Sequence, residues 1–163
     1  MDFIIGLPLS NWYSVIMVVI DKLSKFAYFI PLPASHTAFM MADVLVQNIL
    51  KIHGIPHSIV LDRDKIFTSK FRQHLFKSQG TTLAMSSSYH PQSDGQSEVL
   101  NRCLEMYLRC FTQQTPKAWY KLLPWAAYWY NTIFHSAICI TPYRAVFGRD
   151  PPQILRYTPA PNE

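Results

Sequence analysis

Two short apolar runs set the fold: residues 14–20 read SVIMVVI and residues 25–32 read KFAYFIPL. Both are rich in β-branched and aromatic residues, which fit the pleated, half-buried surface of a sheet. A similar run at residues 2–7, DFIIGL, precedes them and is separated from the first by a loop. We therefore predict three strands, with the strands at 2–7 and 14–20 adjacent.

Helical spacing of apolar residues begins after these strands. Met41, Val44, Leu45, Ile49 and Ile52 recur at intervals of three or four residues, and Gly54 stands where a helix would stop. By the same reasoning, the next predicted elements are a helix at 37–53, a strand at 58–62, a helix at 69–80 and a strand at 81–86.

The second half of the chain is predicted to be helical. An amphipathic pattern marks a helix of about four turns; its apolar residues are Val99, Leu100, Cys103, Leu104, Tyr107, Leu108 and Phe111. Another helix is predicted near 116–131, and a third has Thr141 as its cap, Pro142 at its first position and Gly148 as its stop. This order of elements predicts an α/β domain in which helices cover a mixed sheet.

Composition limits the kind of protein. The chain has 163 residues, of which 49% are hydrophobic, so it can bury a core as one domain. A net charge of +5 favours an anionic partner. No apolar run is as long as the roughly 18 residues that would indicate a membrane span, so we expect no membrane partner.

Cysteine and histidine do not indicate a metal site. The three cysteines contain no Cys-x-x-Cys pair, so we expect reduced thiols. The closely spaced His53 and His57 enclose Gly54 and Pro56, which break the helix that a His-x-x-x-His pair needs.

Three carboxylates stand at positions that suit a ligand site. Asp2 lies in the first predicted strand, Asp62 ends the fourth, and Glu98 begins the helix after the fifth. Ligand sites in open α/β sheets gather at strand ends and helix starts, so we expect Asp62 and Glu98 to be neighbours. Two simpler interpretations compete: Glu98 as a charge that stabilises the helix N-terminus, and Asp62 as a turn residue with Asp64 as the ligand.

Five segments of the chain resemble one protein family. They are MDFIIGLP (1–8), VVIDKLSKFAYFIPL (18–32), GIPHSIVLDRDKIFTSKF (54–71), SSSYHPQSDGQSEVLNR (86–102) and YNTIFHSAICITPYRAVFGRDP (130–151). In this order, and with 35 residues between Asp62 and Glu98, they resemble the integrase catalytic core of gypsy-type long-terminal-repeat retrotransposons. The resemblance covers residues 1–152 and leaves 153–163 as an irregular tail. It implies a ribonuclease-H-like fold, with a five-stranded mixed sheet flanked by helices.

The resemblance also implies an activity and a site. The activity is polynucleotidyl transfer, in which DNA 3′ ends are trimmed and then joined to a target strand. Asp2, Asp62 and Glu98 would be the catalytic residues and would hold two Mg²⁺ or Mn²⁺ ions, for which carboxylate oxygens are suitable ligands. Asp2 would bridge both ions, while Asp62 and Glu98 would each complete one. Asp21 is placed in the turn between the second and third strands and is interpreted as structural.

DNA contacts are implied along one loop and one helix. The candidate nucleic-acid-binding residues are Tyr89, His90, Gln92, Gln96, Asn101 and Arg102. For the loop residues the alternative is a simple turn shaped by Pro91 and Gly95. For the helix residues the resemblance implies that Asn101 supports the catalytic acids and that Arg102 contacts a phosphate, and the alternative is a solvated helix face. The clustered aromatic residues Trp119, Trp125, Tyr128, Trp129 and Tyr130 are expected to pack in a core or dimer interface rather than to stack on bases.

The resemblance implies that element ends and target DNA are partners, that the protein is a homo-oligomer, and that it acts in the nucleus. A second hypothesis is that the chain is a truncated, catalytically inactive remnant that serves as a nucleic-acid-binding or interaction module. The abrupt start on strand-like residues agrees with a piece of a longer protein, and either hypothesis accommodates it.

Overall fold

The computed structural model describes residues 1–56, 59–60, 69–75 and 95–152, with the backbone alone for residues 95 and 96. The predicted tail at 153–163 lies outside these residues. Statements below refer to the described part of the chain.

Three antiparallel strands form the sheet, in the order β1 (Asp2–Ile4), β2 (Val15–Ile20) and β3 (Ala27–Leu32). Val18 lies opposite both Asp2 on β1 and Phe29 on β3. Because directly opposed residues share a face of the sheet, Asp2 lies on the same face as Phe29. The three predicted N-terminal strands are confirmed, each shorter than its apolar run.

The turn between β2 and β3 is held by Asp21. Its Oδ2 accepts hydrogen bonds from the Ser24 backbone N–H at 2.8 Å and from the Ser24 hydroxyl at 2.5 Å. Its backbone N–H donates to the carbonyl of Phe26 and its carbonyl accepts from Lys25, both at 2.9 Å. The predicted place of Asp21 in this hairpin is therefore confirmed.

One face of the sheet is covered by a continuous helical segment. It consists of α1 (Ala38–Leu45), a π-helical turn (Val46–Leu50) and α2 (Lys51–His53). Thr37 caps its start by accepting from the Met40 N–H at 3.2 Å, and Gly54 ends it at φ 73°. Residues 69–75 form α3, whose Phe71 and Leu75 are buried in the core that β2 and α1 share.

The other face carries the C-terminal helices. These are α4 (Gly95–Thr112), a 3₁₀ turn (Pro116–Ala118), α5 (Trp119–Thr132) and α6 (Pro142–Phe147). Leu100, Leu104 and Leu108 of α4 are buried against the sheet, whereas Val99 and Phe111, predicted on the apolar face, are exposed. The buried apolar stripe along α4 is therefore narrower than the sequence pattern indicates.

Polar side chains anchor α5 to the sheet and cap the start of α6. The side chain of Asn131, which is buried on α5, accepts from the Ala27 N–H and donates to the Ala27 carbonyl, both at 2.8 Å. Thr141 caps α6 by accepting from the Arg144 N–H at 3.1 Å, and Gly148 ends it in the left-handed conformation at φ 68°. The predicted cap, first residue and stop of α6 are confirmed.

The described sheet has three antiparallel strands and not the predicted five in a mixed arrangement. The two further predicted strands fall at 58–62 and 81–86. Of these residues the structure describes Ile59 and Val60, neither of which lies in a strand. Within the described ranges, no helix has both the length and the apolar character needed to cross a membrane.

Candidate active site

The site is built where the first strand meets the polar face of α4. The sheet register places Asp2 on the face that α4 covers, because its partner Val18 packs in the same core as Leu100 and Leu104. This packing presents the helix side chains next to the strand. The Nδ2 of Asn101 donates a hydrogen bond to Oδ2 of Asp2 at 2.5 Å, across 99 residues of sequence.

Asp2 is held by a second donor. Its Oδ1 accepts from the backbone N–H of Phe3 at 2.8 Å, so each carboxylate oxygen has one fixed partner. Each oxygen keeps a further lone pair that can bind a cation. The carboxylate is therefore oriented before any ligand binds.

Asn101 carries a buried oxygen that has no hydrogen-bond partner among the described residues. Its Oδ1 is shielded from solvent and accepts no hydrogen bond from the described residues. Buried polar atoms are nearly always paired, because an unpaired one costs about 1–3 kcal/mol of stability. An orphan acceptor beside Asp2 thus marks a place where a bound water or ion would complete the hydrogen-bonding pattern.

Glu98 lies one turn before Asn101 on the same helix. Residues three apart on a helix share a face and differ by about 4.5 Å along the axis, so Glu98 lies on the side of α4 from which Asn101 reaches Asp2. Glu98 Oε2 lies 3.7 Å from an Arg102 guanidinium nitrogen, and the two side chains are 58% and 77% exposed. This exposed pair contributes little to stability, and both groups are accessible to a ligand.

The segment leading to Asp62 also reaches this edge of the sheet. The amino group of Met1 donates to the carbonyl oxygen of Val60 at 2.8 Å. Val60 thus lies beside the residue that precedes Asp2, and it precedes Asp62 by two positions in the sequence. Asp62 itself, like its alternative Asp64, lies outside the described residues.

No protein-family model matches the chain. Known proteins are nevertheless similar to it in sequence or in fold. It is 35% identical over 160 residues to the Tf2-3 and Tf2-4 transposon polyproteins of Schizosaccharomyces pombe. These matches span 98% of the chain and 11% of each polyprotein.

Two similar solved structures are viral. One is a chain of the simian T-cell lymphotropic virus intasome bound to the PP2A regulatory subunit B56γ, with TM-score 0.67, 19% identity, and coverage of 99% of this chain and 58% of that chain. Another is the HTLV-2 integrase catalytic core domain in complex with magnesium, in its trimeric form. Its TM-score is 0.64 and its identity 16%, over 88% of this chain and 93% of that chain.

The chain is therefore similar in sequence to a segment of retrotransposon polyproteins and similar in fold to a retroviral integrase catalytic core. Its sequence relatives are retrotransposon polyproteins, and its structural neighbours have the ribonuclease-H-like α/β fold of retroviral integrase cores. The resemblance predicted from the five sequence segments is thereby confirmed. The chain spans about a tenth of the polyproteins it matches, 11% of each.

The predicted site residues fall into two groups. The structure brings Asp2 and Asn101 into direct contact and places Glu98 and Arg102 on successive turns of one face of α4. Asp62, Tyr89, His90 and Gln92 lie outside the described residues, and for Gln96 only the backbone in α4 is described.

The described side chains at this site suit a hard divalent cation. Asp2 and Glu98 supply carboxylates, and the orphan oxygen of Asn101 supplies an acceptor for a water bound to such an ion. The described residues contain no group of three or more His, Cys, Asp or Glu that could hold a metal ion. Asp62, the third predicted ligand, lies outside the described residues.

The clustered aromatic residues divide between core and surface. Trp119 and Tyr130 are buried, and the Trp119 Nε1–H donates to the Pro8 carbonyl at 2.7 Å. Trp125 and Trp129 are 55% and 39% exposed, and Trp129 packs on Tyr107 of α4 at 5.3 Å between ring centroids. The expectation of core packing is confirmed for the first pair only.

Sequence reasoning missed one polar cluster. The hydroxyl of Tyr28 lies 2.8 Å from Nε2 of His53, which joins β3 to the end of α2. In the sequence, His53 stands out only through its spacing from His57, and Tyr28 has the pattern of an ordinary strand residue. No local pattern links residues 25 positions apart, so this contact required the fold.

Proposed function

We propose that this chain is the catalytic core of a DNA integrase, a polynucleotidyl transferase that trims 3′ ends and joins them to target DNA. The observation that carries the proposal is the hydrogen bond between Asn101 and Asp2, which brings the acid of β1 to the helix face that bears Glu98. The contact between Met1 and Val60 supports Asp62 as the third acid. We include in this proposal that the complete sheet has five strands in a mixed arrangement.

Asp2, Asp62 and Glu98 would hold two Mg²⁺ or Mn²⁺ ions. When bound, such ions activate the attacking oxygen and stabilise the leaving oxygen of a phosphodiester. The magnesium in the HTLV-2 catalytic core supports this choice of metal. The chain's own groups would position the reaction: Phe3 and Asn101 fix the two oxygens of Asp2, so the carboxylate needs no reorientation.

Arg102 would contact a phosphate. In the described structure its guanidinium faces the Glu98 carboxylate at 3.7 Å. Cations that bind Glu98 would compete with this pair and leave the guanidinium, with its fixed fork of donors, for a DNA phosphate. Asn101 is assigned to the support of Asp2. Tyr89, His90, Gln92 and Gln96 remain proposed DNA contacts.

We also propose that element ends and target DNA are the partners and that the protein forms a homo-oligomer in the nucleus. The net charge of +5 favours an anionic partner. Exposed Trp125, Trp129 and Phe111 supply the large apolar groups that interfaces between copies use. The trimeric form of the HTLV-2 core supports an oligomer.

The proposal is tested by reversal of joining on a branched DNA substrate, with Mg²⁺ or Mn²⁺. We expect the chain to release the branch, and Glu98→Gln to abolish release because it removes a charged ligand. Glu105→Gln is the matched control, since Glu105 is exposed on the same helix. If a folded wild-type chain releases nothing, or if Glu98→Gln matches Glu105→Gln, the chain is not a free-standing integrase core. The inactive-remnant hypothesis then takes its place.

A further inference from the structure

The loop between β1 and β2 contains a tight turn at residues 10–13, the tip turn, which carries Trp12. The backbones of Ser10 and Tyr13 exchange two hydrogen bonds from N–H to carbonyl, each at 2.9 Å. Between them, Asn11 and Trp12 have φ values of 47° and 71°, and a type I′ turn needs positive φ at both of these positions. Asparagine is common at positive φ, whereas a bulky residue there is an outlier, and such strain clusters at functional sites.

The tip turn is anchored to the segment that begins α5. The hydroxyl of Ser10, which is only 5% exposed, donates to the carbonyl of Lys117 in the 3₁₀ turn. Tyr13 stacks on Tyr120 of α5, with ring centroids 5.1 Å apart and planes within 15° of parallel. These contacts fix the base of the turn, while the side chain of Trp12 is 83% exposed. A rigid aromatic group presented in this way loses little conformational entropy when it binds a partner.

The two segments that meet at the tip turn carry positive charge only. Residues 3–20 contain no charged side chain, and residues 106–149 contain no Asp or Glu. Lys117 adjoins the turn directly, and Lys121 lies four residues further along the same helical segment. Both lysines are exposed, and within the described ranges neither belongs to an ion pair. The exposed indole of Trp12 thus has two cations beside it in these segments and no carboxylate.

We propose that the tip turn is a further DNA contact, at which Trp12 stacks on an unpaired base while Lys117 and Lys121 bind flanking phosphates. The inference rests on the proposed integrase function and adds to it a contact separate from the three carboxylates. The loop leaves the end of β1 opposite to Asp2, so the tip turn would hold DNA beyond the reacting phosphate. Because every base has an aromatic face, the contact would select unpaired bases rather than a particular sequence.

The charge of this surface favours DNA over a second copy of the chain. In a two-fold dimer the same surface would face itself and bring the lysines of both copies together. A DNA strand instead offers phosphates to the lysines and base faces to the indole. Ile5 and Leu9 of the same loop are 70% and 60% exposed, so an apolar protein surface is the alternative that the experiment must separate.

The test compares binding of two DNA duplexes by fluorescence anisotropy, one fully paired and one with a central bubble of unpaired bases. We expect the wild-type chain to bind the bubble more tightly. Trp12→Ala should reduce this preference about tenfold, within the range found on removing one aromatic residue that stacks on a base. Trp12→Phe keeps an aromatic ring and should retain most of the preference. Phe134→Ala removes another exposed ring, 66% exposed in the loop after α5, and is the matched control.

A pair of lysine substitutions tests the phosphate contacts. Lys117→Gln combined with Lys121→Gln should lower the slope of log Kd against log salt concentration by about 1.5, since each lost phosphate contact lowers it by about 0.7–0.9. Lys51→Gln combined with Lys70→Gln removes the same charge at exposed positions on α2 and α3 and should leave the slope nearly unchanged. Equal slopes in the two double variants would overturn the assignment of phosphates to the tip turn.

The outcomes distinguish this proposal from the proposed function. If a folded Trp12→Ala protein keeps the full preference for the bubble, the tip-turn contact is overturned, while release of the branch that depends on Glu98 still supports the integrase core. If Trp12→Ala leaves DNA binding unchanged but lowers the oligomeric state in sedimentation, the surface binds a second copy and the DNA contact is overturned. If the wild-type chain binds neither duplex, both proposals are overturned.

Discussion

The Nδ2 of Asn101 on α4 lies 2.5 Å from Oδ2 of Asp2 on β1 and joins the first strand to the helix that carries Glu98. Without this contact the carboxylate would be oriented only by the N–H of its own neighbour, Phe3. The proposed metal site thus depends on a residue that need not itself bind the metal. Asn101 would therefore act as a positioning residue for Asp2.

Replacing Asn101 with leucine should weaken divalent-metal binding about 10- to 100-fold, the usual effect of losing a hydrogen bond that orients a ligand. The measurement is a calorimetric titration with Mn²⁺. Gln113→Leu, an exposed amide just beyond α4, is the control. Equal Mn²⁺ affinity in the two folded variants would show that Asn101 does not support the site.

The Asn131 side chain should make a large polar contribution to stability. It satisfies both the N–H and the carbonyl of Ala27 while only 4% exposed. Asn131→Leu leaves both backbone groups buried and unpaired, at about 1–3 kcal/mol each, and should lower the free energy of unfolding by about 2–6 kcal/mol. Urea denaturation measures this change.

Asn48→Ala provides the comparison for that prediction. The Asn48 Nδ2 donates to the Val44 carbonyl at 2.8 Å within the helix, at a partly buried position. Its loss should therefore cost no more than about 1 kcal/mol. Similar losses of stability in the two variants would contradict the role assigned to Asn131.

Trp12 stands in a strained turn between β1 and β2. Its φ is 71°, in the left-handed region, and its side chain is 83% exposed, so the ring contributes little packing to offset the strain. Trp12→Gly should raise the free energy of unfolding by about 1 kcal/mol, because glycine adopts this conformation without strain. Trp12→Ala keeps the Cβ and should give no such gain. A destabilised glycine variant would show that the ring makes a contact that matters.

Buried tyrosines should make the fold sensitive to high pH. Burial, with a smaller effect of Cys103, raises the pKa of Tyr130 to about 12 from its ordinary 10.0. Between these two values the unfolded chain loses the phenolic proton while the folded chain keeps it. The free energy of unfolding therefore falls as pH rises, by up to about 1.4 kcal/mol per pH unit for this group. Below the unfolded pKa the contribution is complete.

Tyr130→Phe should reduce this alkaline loss, since phenylalanine has no proton to release. Urea denaturation at a series of alkaline pH values measures the slope. Tyr28, whose pKa is also raised to about 12, should still contribute, so Tyr28→Phe added to Tyr130→Phe should flatten the slope further. A wild-type slope in the double variant would contradict the assignment.

Local patterns predicted much of the fold. Runs of apolar, β-branched and aromatic residues identified β2 and β3, and the Thr141, Pro142 and Gly148 signals placed the ends of α6 correctly. The helix predicted at 37–53 is present, but its π-helical turn was not foreseen. Such a turn depends on packing against neighbouring elements, which no periodicity in the sequence records. The width of the buried stripe on α4 depends in the same way on what covers it.

The site was predicted by resemblance more than by pattern. The charge of Glu98 and its spacing from Asp62 made it a candidate in the sequence. Its position relative to Asp2 could not be predicted from a local pattern, because 95 residues lie between them in the sequence. The orphan oxygen of Asn101 and the pair formed by Tyr28 and His53 are products of tertiary packing. Asp62 and the loop residues Tyr89, His90 and Gln92 stay predictions.

The most direct test of the central claim, that Asp2, Asp62 and Glu98 form one metal site, is iron-mediated cleavage of the chain. Fe²⁺ bound in place of Mg²⁺ generates hydroxyl radicals with ascorbate and peroxide, and these cut the nearby backbone. Mass spectrometry of the fragments should show cuts near residues 62 and 98 that excess Mg²⁺ suppresses. These cuts should disappear in Glu98→Gln and persist in Glu105→Gln. Cuts confined to other segments, or undiminished in Glu98→Gln, would contradict the claim.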